Sequence, residues 1–271
     1  MATISKIAGI AIGTIAKLGG IVRSSISQIV EQVRATWNDK SIDFDGTNDY
    51  LLSSANLDIN VQNRRTKSIS FWFKTSSISS SPHYFISFGS NSLSILANSN
   101  NLKLQHNTIF PDFEIHWSHR SSWLNTGTWV NIIYTVSCPA GQNTEATHKI
   151  YIDAVLKQTT AATRNQGDYP AGKMSVGAST SGTYPLQTII DEIGWWDDVV
   201  LDADAVTALY NNGVPIDLST DSGDYDNSSS LVHWWRMGDG DTYPTIEDNA
   251  GSLDLTMTNM VAGDIVTNIP T

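Results

Sequence analysis

The stretch that decides the fold is residues 189–213, IIDEIGWWDDVVLDADAVTALYNNG, because its hydrophobic period changes partway along. Its first part, with the preceding LQT, is a run of apolar and β-branched residues that predicts a strand over residues 186–196. The second part predicts a helix that begins at Asp202 or Asp204 and ends at Gly213. Asp197 and Asp198 lie just before that helix start, where its macrodipole already favours acidic residues.

Short alternating segments precede this stretch and are separated by Gly, Asn, Ser and Pro. The segment TKSISFWFKT, residues 66–75, places Ile69, Phe71 and Phe73 on one face of a predicted strand. The other predicted strands are SIDFDG, YFISFG, LSILAN, NLKLQHN, WVNIIYTVS, HKIYIDAVLKQTT and KMSVGAS. Many short strands with frequent turns are typical of a β-sandwich, so we predict an all-β body.

Composition excludes several classes of function. The 271 residues carry 16 Lys and Arg against 27 Asp and Glu, a formal net charge of −11, which argues against nucleic acid as a partner. Charged residues make up only 16%, and Ser, Thr and Asn supply polarity in the way that suits sheets and turns. The single cysteine, Cys138, excludes an intrachain disulfide and a cysteine-based zinc site.

Four segments together resemble the laminin-G-like, concanavalin A-like jelly roll, in its pentraxin-related branch. They are FDGTNDYL at 44–51, SISFWFKT at 68–75, HKIYIDAVLKQ at 148–158 and the stretch at 189–213. The third is similar to a family hairpin written tyrosine, any residue, Asp, Gly, although Ala154 stands here in place of the glycine. The resemblance implies a jelly-roll β-sandwich over residues 39–218. Residues 219–271 are then expected to add a strand and flap to the same sandwich.

The amino-terminal arm, residues 1–38, contains an apolar repeat of eleven residues. Its copies are ISKIAGIAIGT, IAKLGGIVRSS and ISQIVEQVRAT, and the third predicts a helix with Ser25 as its N-cap. We interpret residues 1–38 as an extended, partly helical assembly arm, with a strap packed on its own domain as the alternative. The apolar residues expected to bury in an assembly are Ile4, Ile7, Ile10, Ile15, Leu18, Ile21, Ile26 and Ile29.

The apolar run at residues 7–16 is too short to span a bilayer, so we expect no transmembrane segment, and a signal peptide is disfavoured.

An apolar arm followed by a jelly roll resembles the layout of virion structural proteins of tailed phages, particularly marine ones. That resemblance implies a capsid decoration or tail component on the particle surface, oligomeric and attached to other virion proteins. The alternative is a secreted or cell-surface lectin.

A jelly roll can host hydrolases as well as sugar-binding modules, so the residues must decide between them. Retaining glucanases of this architecture resemble one another in two Glu flanking an Asp on one strand. Here strand alternation predicts Asp191 and Glu192 on opposite faces, and Gly194 occupies the position where the next carboxylate would stand. No metalloprotease, serine hydrolase or phosphate-loop motif is present. We therefore expect no enzyme, and a glycoside hydrolase is the least favoured function.

Two binding sites remain as expectations. The family resemblance implies calcium held by Asp45, Asn48, Asp49, Asp191 and Glu192. The alternative is an Asx-type turn at Asp45 and Asn48, with Asp191 accepting backbone hydrogen bonds.

Host-surface polysaccharide is expected to bind the segment PDFEIHWSHRSSWLNTG, although most tryptophans of a sandwich lie in its core. The residues proposed to contact sugar are Trp117, Trp123, His116, His119, Arg120 and Asn125.

Overall fold

The computed structural model describes residues 17–18, 21–22, 38–57, 66–75, 82–89, 93–98, 101–106, 113–117, 127–137, 145–163 and 172–271. In these residues the strands, in chain order, are β1 Lys17–Leu18, β2 Ile21–Val22, β3 Ser41–Asp45, β4 Tyr50–Ser53, β5 Lys67–Lys74, β6 His83–Phe88, β7 Leu93–Asn98, β8 Asn101–His106, β9 Phe113–Trp117, β10 Trp129–Ser137, β11 Glu145–Ile152, β12 Val155–Thr163, β13 Met174–Val176, β14 Gln187–Asp197, β15 Leu231–Trp235, β16 Thr245–Ile246, β17 Leu255–Thr258 and β18 Ile265–Val266. The α-helix of the described residues is α1, Ala203–Tyr210.

Two antiparallel sheets form a sandwich. The first sheet has the order β12-β11-β10-β5-β14-β3-β18, and β15 also pairs with β14. The second sheet has the order β16-β17-β4-β13-β6-β7-β8-β9. The predicted all-β, concanavalin A-like jelly-roll fold is confirmed.

The core lies between the sheets, and strand periodicity decides which side chains enter it. Phe71 and Phe73 of β5 are fully buried and contact Phe85 of β6 with ring centroids 5.6 and 4.6 Å apart, respectively. Ile69 joins the same core cluster, as the alternation in this strand predicted. The aromatic rings thus bridge the two sheets and supply much of the buried apolar area.

A second apolar layer covers the outer face of the first sheet. Trp196 of β14 and Leu209 of α1 belong to this layer, which also includes Tyr225 from the segment after the helix. Trp72, on the outward side of β5, stacks on Tyr210 at the end of α1, with ring centroids 5.8 Å apart. Because both faces of the first sheet are covered, β5 is buried along almost its whole length.

Helix α1 begins where the sequence predicts and ends earlier. The Asp202 side chain accepts hydrogen bonds from the amides of Asp204 and Ala205, at 3.1 and 2.9 Å, and so caps the first turn. The helix ends at Tyr210 because Asn211 adopts the left-handed conformation, with φ 42°. The predicted end at Gly213 is therefore wrong by one short 3₁₀ turn, Asn211–Gly213.

The carboxy-terminal residues contribute strands to both sheets. β15 extends the first sheet along β14, and β18 pairs with β3 at its edge. β17 pairs with β4 in the second sheet, and β16 pairs with β17. Strands β17 and β18 thus pair with β4 and β3, the first two strands of the sandwich, although about 200 residues separate the partners in the sequence.

Of the arm, the structure describes one hairpin, in which Leu18 of β1 pairs with Ile21 of β2. The second repeat is therefore extended at this point, with Gly19 and Gly20 between the two strands. The other predicted assembly residues, Ile4, Ile7, Ile10, Ile15, Ile26 and Ile29, lie outside the described residues, as does the helix predicted from Ser25. No helix in the part of the chain that the structure describes is long and apolar enough to cross a membrane.

Candidate functional site

The candidate site is built on an irregularity in β14. Asp191 pairs with Trp72 and Gly194 with Ser70, so β14 carries one more residue than β5 across this interval. Glu192 takes up the extra length with a left-handed backbone, φ 47°. The prediction that Asp191 and Glu192 lie on opposite faces is therefore wrong, because a β-bulge breaks the alternation on which it rested. Both carboxylates point into one buried cluster.

Asp239 is the third carboxylate of this cluster. The strand β15 runs alongside the bulge, with Trp235 opposite Ile193, and the chain then turns back through Met237 and Gly238. A side chain at Gly238, whose φ is 118°, would come within 3.0 Å of the Lys40 Cβ atom, so the turn requires glycine. One ligand oxygen from each of Asp191, Glu192 and Asp239 lies within 4.8 Å of the others.

Neutral donors hold each carboxylate in place. Asn38 donates from Nδ2 to Asp191 Oδ2 at 3.0 Å, and the Trp234 indole N–H donates to Glu192 Oε2 at 2.6 Å. The backbone amide of Asp39 donates to Asp239 Oδ1 at 2.9 Å. The cluster therefore joins the start of the sandwich at residues 38–39 to β14 and to the loop after β15.

Arg236 provides the positive charge in this cluster. Its Nε atom lies 3.5 Å from Glu192 Oε1, and a terminal nitrogen lies 3.5 Å from Asp239 Oδ2. Both contacts are longer than the 2.7–2.9 Å of a short charge-assisted hydrogen bond. The guanidinium carbon also lies 5.4 Å from the centroid of the Trp234 ring, within cation–π range.

Burial dominates the electrostatics of the cluster. Removal from water raises the pKa of Asp191 well above its usual range, and the neighbouring Glu192 charge raises it further. Burial also raises the pKa of Glu192, although Arg236 and the Trp234 hydrogen bond oppose the shift. The pKa of Asp239 is raised by burial as well. Three carboxylates held this closely favour uptake of positive charge.

These residues could hold a metal ion. Asp191 Oδ1, Glu192 Oε1 and Asp239 Oδ2 are buried and accept no hydrogen bond within the described residues. The amide oxygen Asn38 Oδ1 is also buried without a hydrogen-bond donor in the described residues, and Asn38 is only 3% exposed. All four atoms are oxygens, the ligand type that hard cations such as Ca²⁺ prefer.

The other predicted calcium ligands form a separate turn. Asp45 Oδ1 accepts hydrogen bonds from the amides of Thr47 and Asn48 at 2.7 and 3.4 Å, which is the Asx-type turn named as the alternative. Asp49 Oδ2 accepts from the amide of Asp45 at 3.2 Å. Because Asp45 pairs with Gln187, this turn lies several residues along β14 from Asp191. The five predicted ligands therefore do not form one site.

The predicted sugar-binding segment is described only in part. His116 and Trp117 belong to β9, the edge strand of the second sheet, in register with Lys103 and Leu102, respectively. The remaining predicted contacts, His119, Arg120, Trp123 and Asn125, lie outside the described residues. The sugar-binding assignment therefore stays a prediction.

Sequence reasoning missed Asn38, Arg236 and Asp239. The available signal was the run WWRMGDGD at residues 234–241, in which an Asp flanked by glycines follows a strand with two tryptophans. Nothing in the local pattern connects that run to Asp191, because the contact depends on the pairing of β15 with β14. Asn38 was assigned to the end of the arm, and its amide reaches Asp191 across 153 positions of sequence.

Two stacked antiparallel sheets define a jelly-roll sandwich, in which a layer containing helix α1 covers the first sheet and the buried acidic cluster lies on β14 of that same sheet. The family model described as the concanavalin A-like lectin/glucanases superfamily matches residues 45–207, and the chain belongs to this family.

A solved structure of low sequence identity shares the fold. The chain is similar to a protein of Bacteroides ovatus ATCC 8483 described as a "putative carbohydrate binding protein", with a TM-score of 0.60 and 13% identity. That match covers 86% of this chain and 61% of the other, so the chain spans less than two thirds of its length. A heptameric SAP-like pentraxin from Limulus polyphemus gives a TM-score of 0.49 at 16% identity, covering 82% and 97% of the two chains. Comparison with curated proteins gives no match.

Proposed function

We propose that this chain is a non-enzymatic, lectin-type protein whose sandwich binds glycans. One observation supports the non-enzymatic part of the proposal: the acidic pair on β14, the only candidate for the catalytic carboxylates of a glucanase in the sequence analysis, is buried, with Asp191 0% and Glu192 3% exposed. A retaining glycosidase needs two carboxyl groups facing an open cleft on either side of the scissile bond. The β14 pair instead faces Asn38, Trp234 and Arg236.

Packing also explains the missing second carboxylate. A Cβ atom at Gly194 would lie 2.6 Å from the Trp196 ring and 2.8 Å from a Leu218 methyl group. The apolar layer over the first sheet thus leaves no room for a Glu or Asp at that position. In this chain, the strand is used for packing and for the acidic cluster rather than for hydrolysis.

Glycan binding is supported by the family and by the fold likeness to the Bacteroides ovatus protein. The surface that we propose for it is the β9 edge of the second sheet together with residues 118–125, where tryptophans alternate with polar donors. Aromatic rings beside hydrogen-bond donors suit the apolar and polar faces of a sugar. Host-surface polysaccharide is the proposed ligand class.

The experiment is a glycan array probed with the full chain and with Trp123→Ala. We expect the wild type to bind at least one polysaccharide and the variant to lose most of that signal. Tyr243→Ala is the matched control, because Tyr243 is an exposed aromatic next to β16, at the opposite edge of the second sheet. Equal binding by wild type and Trp123→Ala would reject this surface, and no binding to any glycan would reject the function.

We also propose that residues 1–38 attach the sandwich to other virion proteins and to further copies of the chain. The support is the apolar repeat, and a hairpin β1–β2 that, among the described residues, pairs only with itself. Many copies on a phage particle would turn weak binding at each sandwich into strong attachment. A secreted or cell-surface lectin is the second candidate, and it would use the same sandwich without the assembly step.

A further inference from the structure

We propose that Asp191, Glu192, Asp239 and Asn38 form a Ca²⁺ site that fastens the arm junction to β14 and to the loop after β15. The proposal goes beyond glycan binding, because its residues are separate from the proposed sugar-binding surface. It also differs from the expected calcium set, since Asp45, Asn48 and Asp49 are replaced by Asp239 and Asn38.

The separation of the oxygens fits Ca²⁺. Two ligands on opposite sides of a Ca²⁺ ion, each about 2.4 Å from it, stand about 4.8 Å apart. No two of the selected ligand atoms of Asp191, Glu192 and Asp239 are farther apart than 4.8 Å. A single ion between them could therefore be reached by all three carboxylates through small side-chain rotations. Mg²⁺ fits less well, because it needs near-ideal octahedral geometry at about 2.1 Å.

The charge of the cluster also fits a divalent cation. When all three carboxylates are ionised, they and the Arg236 guanidinium carry a net charge of −2 in a largely buried place. Buried charge of one sign is costly unless it is balanced. One Ca²⁺ ion would balance it without displacing Arg236, which lies beside Glu192 and Asp239 at 3.5 Å.

Asn38 gives evidence that does not depend on the acidic residues. Asn38 is only 3% exposed, and its side-chain amide oxygen has no hydrogen-bond partner in the described residues. A buried amide oxygen without a donor is costly, and a cation is the natural partner for it. The Asn38 amide nitrogen faces Asp191, and a half-turn about the terminal bond would exchange the nitrogen for the oxygen, replacing that hydrogen bond with a contact to an ion bound between the two residues.

An ion at this position would connect three distant parts of the chain. Asn38 and the adjacent Asp39 amide belong to the junction with the arm, Asp191 and Glu192 to β14, and Asp239 to the loop after β15. Binding to the folded state alone would stabilise that state in proportion to the logarithm of the Ca²⁺ concentration. It would also fix the point from which the arm leaves the sandwich.

The test uses the full chain, stripped of metal with a chelator, in calorimetric titration with Ca²⁺ at neutral pH. We expect about one ion per chain, with a dissociation constant between about 10⁻⁶ and 10⁻³ M. Terbium luminescence provides a second readout, because Trp234 touches Glu192 and can transfer excitation to Tb³⁺ bound there. Added Ca²⁺ should compete with Tb³⁺ and quench that emission.

Variants assign the site. Asp239→Asn should weaken Ca²⁺ binding by at least about tenfold, in line with the sensitivity of metal sites to their ligands. Asp45→Asn is the matched control, since it makes the same change in the exposed turn and should leave the affinity unchanged. If Asp239→Asn does not fold, as judged by circular dichroism, Asn38→Ala takes its place, with weaker binding again expected. The proposal is overturned if wild type shows no binding at about 10 mM Ca²⁺, or if Asp45→Asn loses binding and the cluster variant keeps it.

Discussion

The buried carboxylate of Asp248 accepts hydrogen bonds from several parts of the chain. It accepts a hydrogen bond from the His233 ring at 2.6 Å and others from the backbone amides of Trp234, Gly251 and Leu253, at 2.9–3.0 Å. The residue thereby ties the segment between β16 and β17 to β15. Burial alone would raise the pKa of Asp248, but these hydrogen bonds outweigh burial and lower the pKa to about 2.

We expect Asp248→Asn to lower the free energy of unfolding at neutral pH by about 2 kcal/mol. That is the free energy that corresponds to a pKa lowered from 3.8 in the unfolded chain to about 2 in the folded one. The folded-state pKa is below the unfolded one. The stabilisation is therefore present above about pH 4 and is lost as the pH falls toward 2. Urea unfolding of both proteins between pH 2 and pH 7 measures the effect. Asp224→Asn, in an exposed turn, is the control, and parallel pH profiles for wild type and Asp248→Asn would contradict the assignment.

Sequence reasoning identified the residues of the acidic pair but not their arrangement. Asp191 and Glu192 were found because a strand pattern surrounds them, yet the pattern assumes regular alternation and Glu192 departs from it, with φ 47°. A bulge depends on how β14 fits β5, which no local pattern records. Asn38 and Asp239 were missed for a related reason, since only the pairing of distant strands brings them to Asp191.

Among the elements, helix α1 is the one that local sequence describes best. The N-cap at Asp202 is a short-range interaction, and the structure confirms it. The end of the helix was predicted less well, because Asn211 takes the left-handed conformation before Gly213 is reached. Asparagine is the residue that most readily replaces glycine in this role, so the sequence allowed either ending.

Removal of the Asp202 side chain tests how much the N-cap stabilises helix α1. Asp202→Ala should lower the free energy of unfolding by about 1 kcal/mol, because the amides of Asp204 and Ala205 lose their acceptor. Asp204→Ala removes the same charge from the same turn without removing the cap, so a smaller loss is expected. Thermal unfolding compares the two variants, and a larger loss in Asp204→Ala would show that charge, rather than capping, stabilises the helix.

At the scale of the whole molecule, the periodicity of the strands and four family-like segments predicted the jelly roll correctly. They could not show that residues 219–271 pair into both sheets, since β17 and β18 are short and their partners β4 and β3 are about 200 residues away in the sequence. The sequence pattern also does not decide whether the arm packs on its own domain or on another chain. An apolar repeat indicates burial but does not say against what.

The assembly proposal predicts a change in mass. In the full chain, Ile4→Asp combined with Ile15→Asp should reduce an oligomer to monomers, because each buried isoleucine contributes about 1.5–3 kcal/mol and a charge in its place must be desolvated. Ser5→Asp combined with Thr14→Asp adds the same charge at polar positions of the arm and should leave the oligomer intact. Light scattering gives the masses. A wild-type chain that is already monomeric would favour the strap packed on its own domain.

We propose that the sandwich binds glycan without cleaving it. The most direct measurement incubates the full chain with a panel of polysaccharides that includes laminarin and agar, and follows retention of the protein and release of reducing sugar in the same samples. We expect retention on at least one polysaccharide with no release above the blank, because the carboxylates of β14 are buried. Release of reducing sugar would contradict it, and so would the absence of retention on every polysaccharide tested.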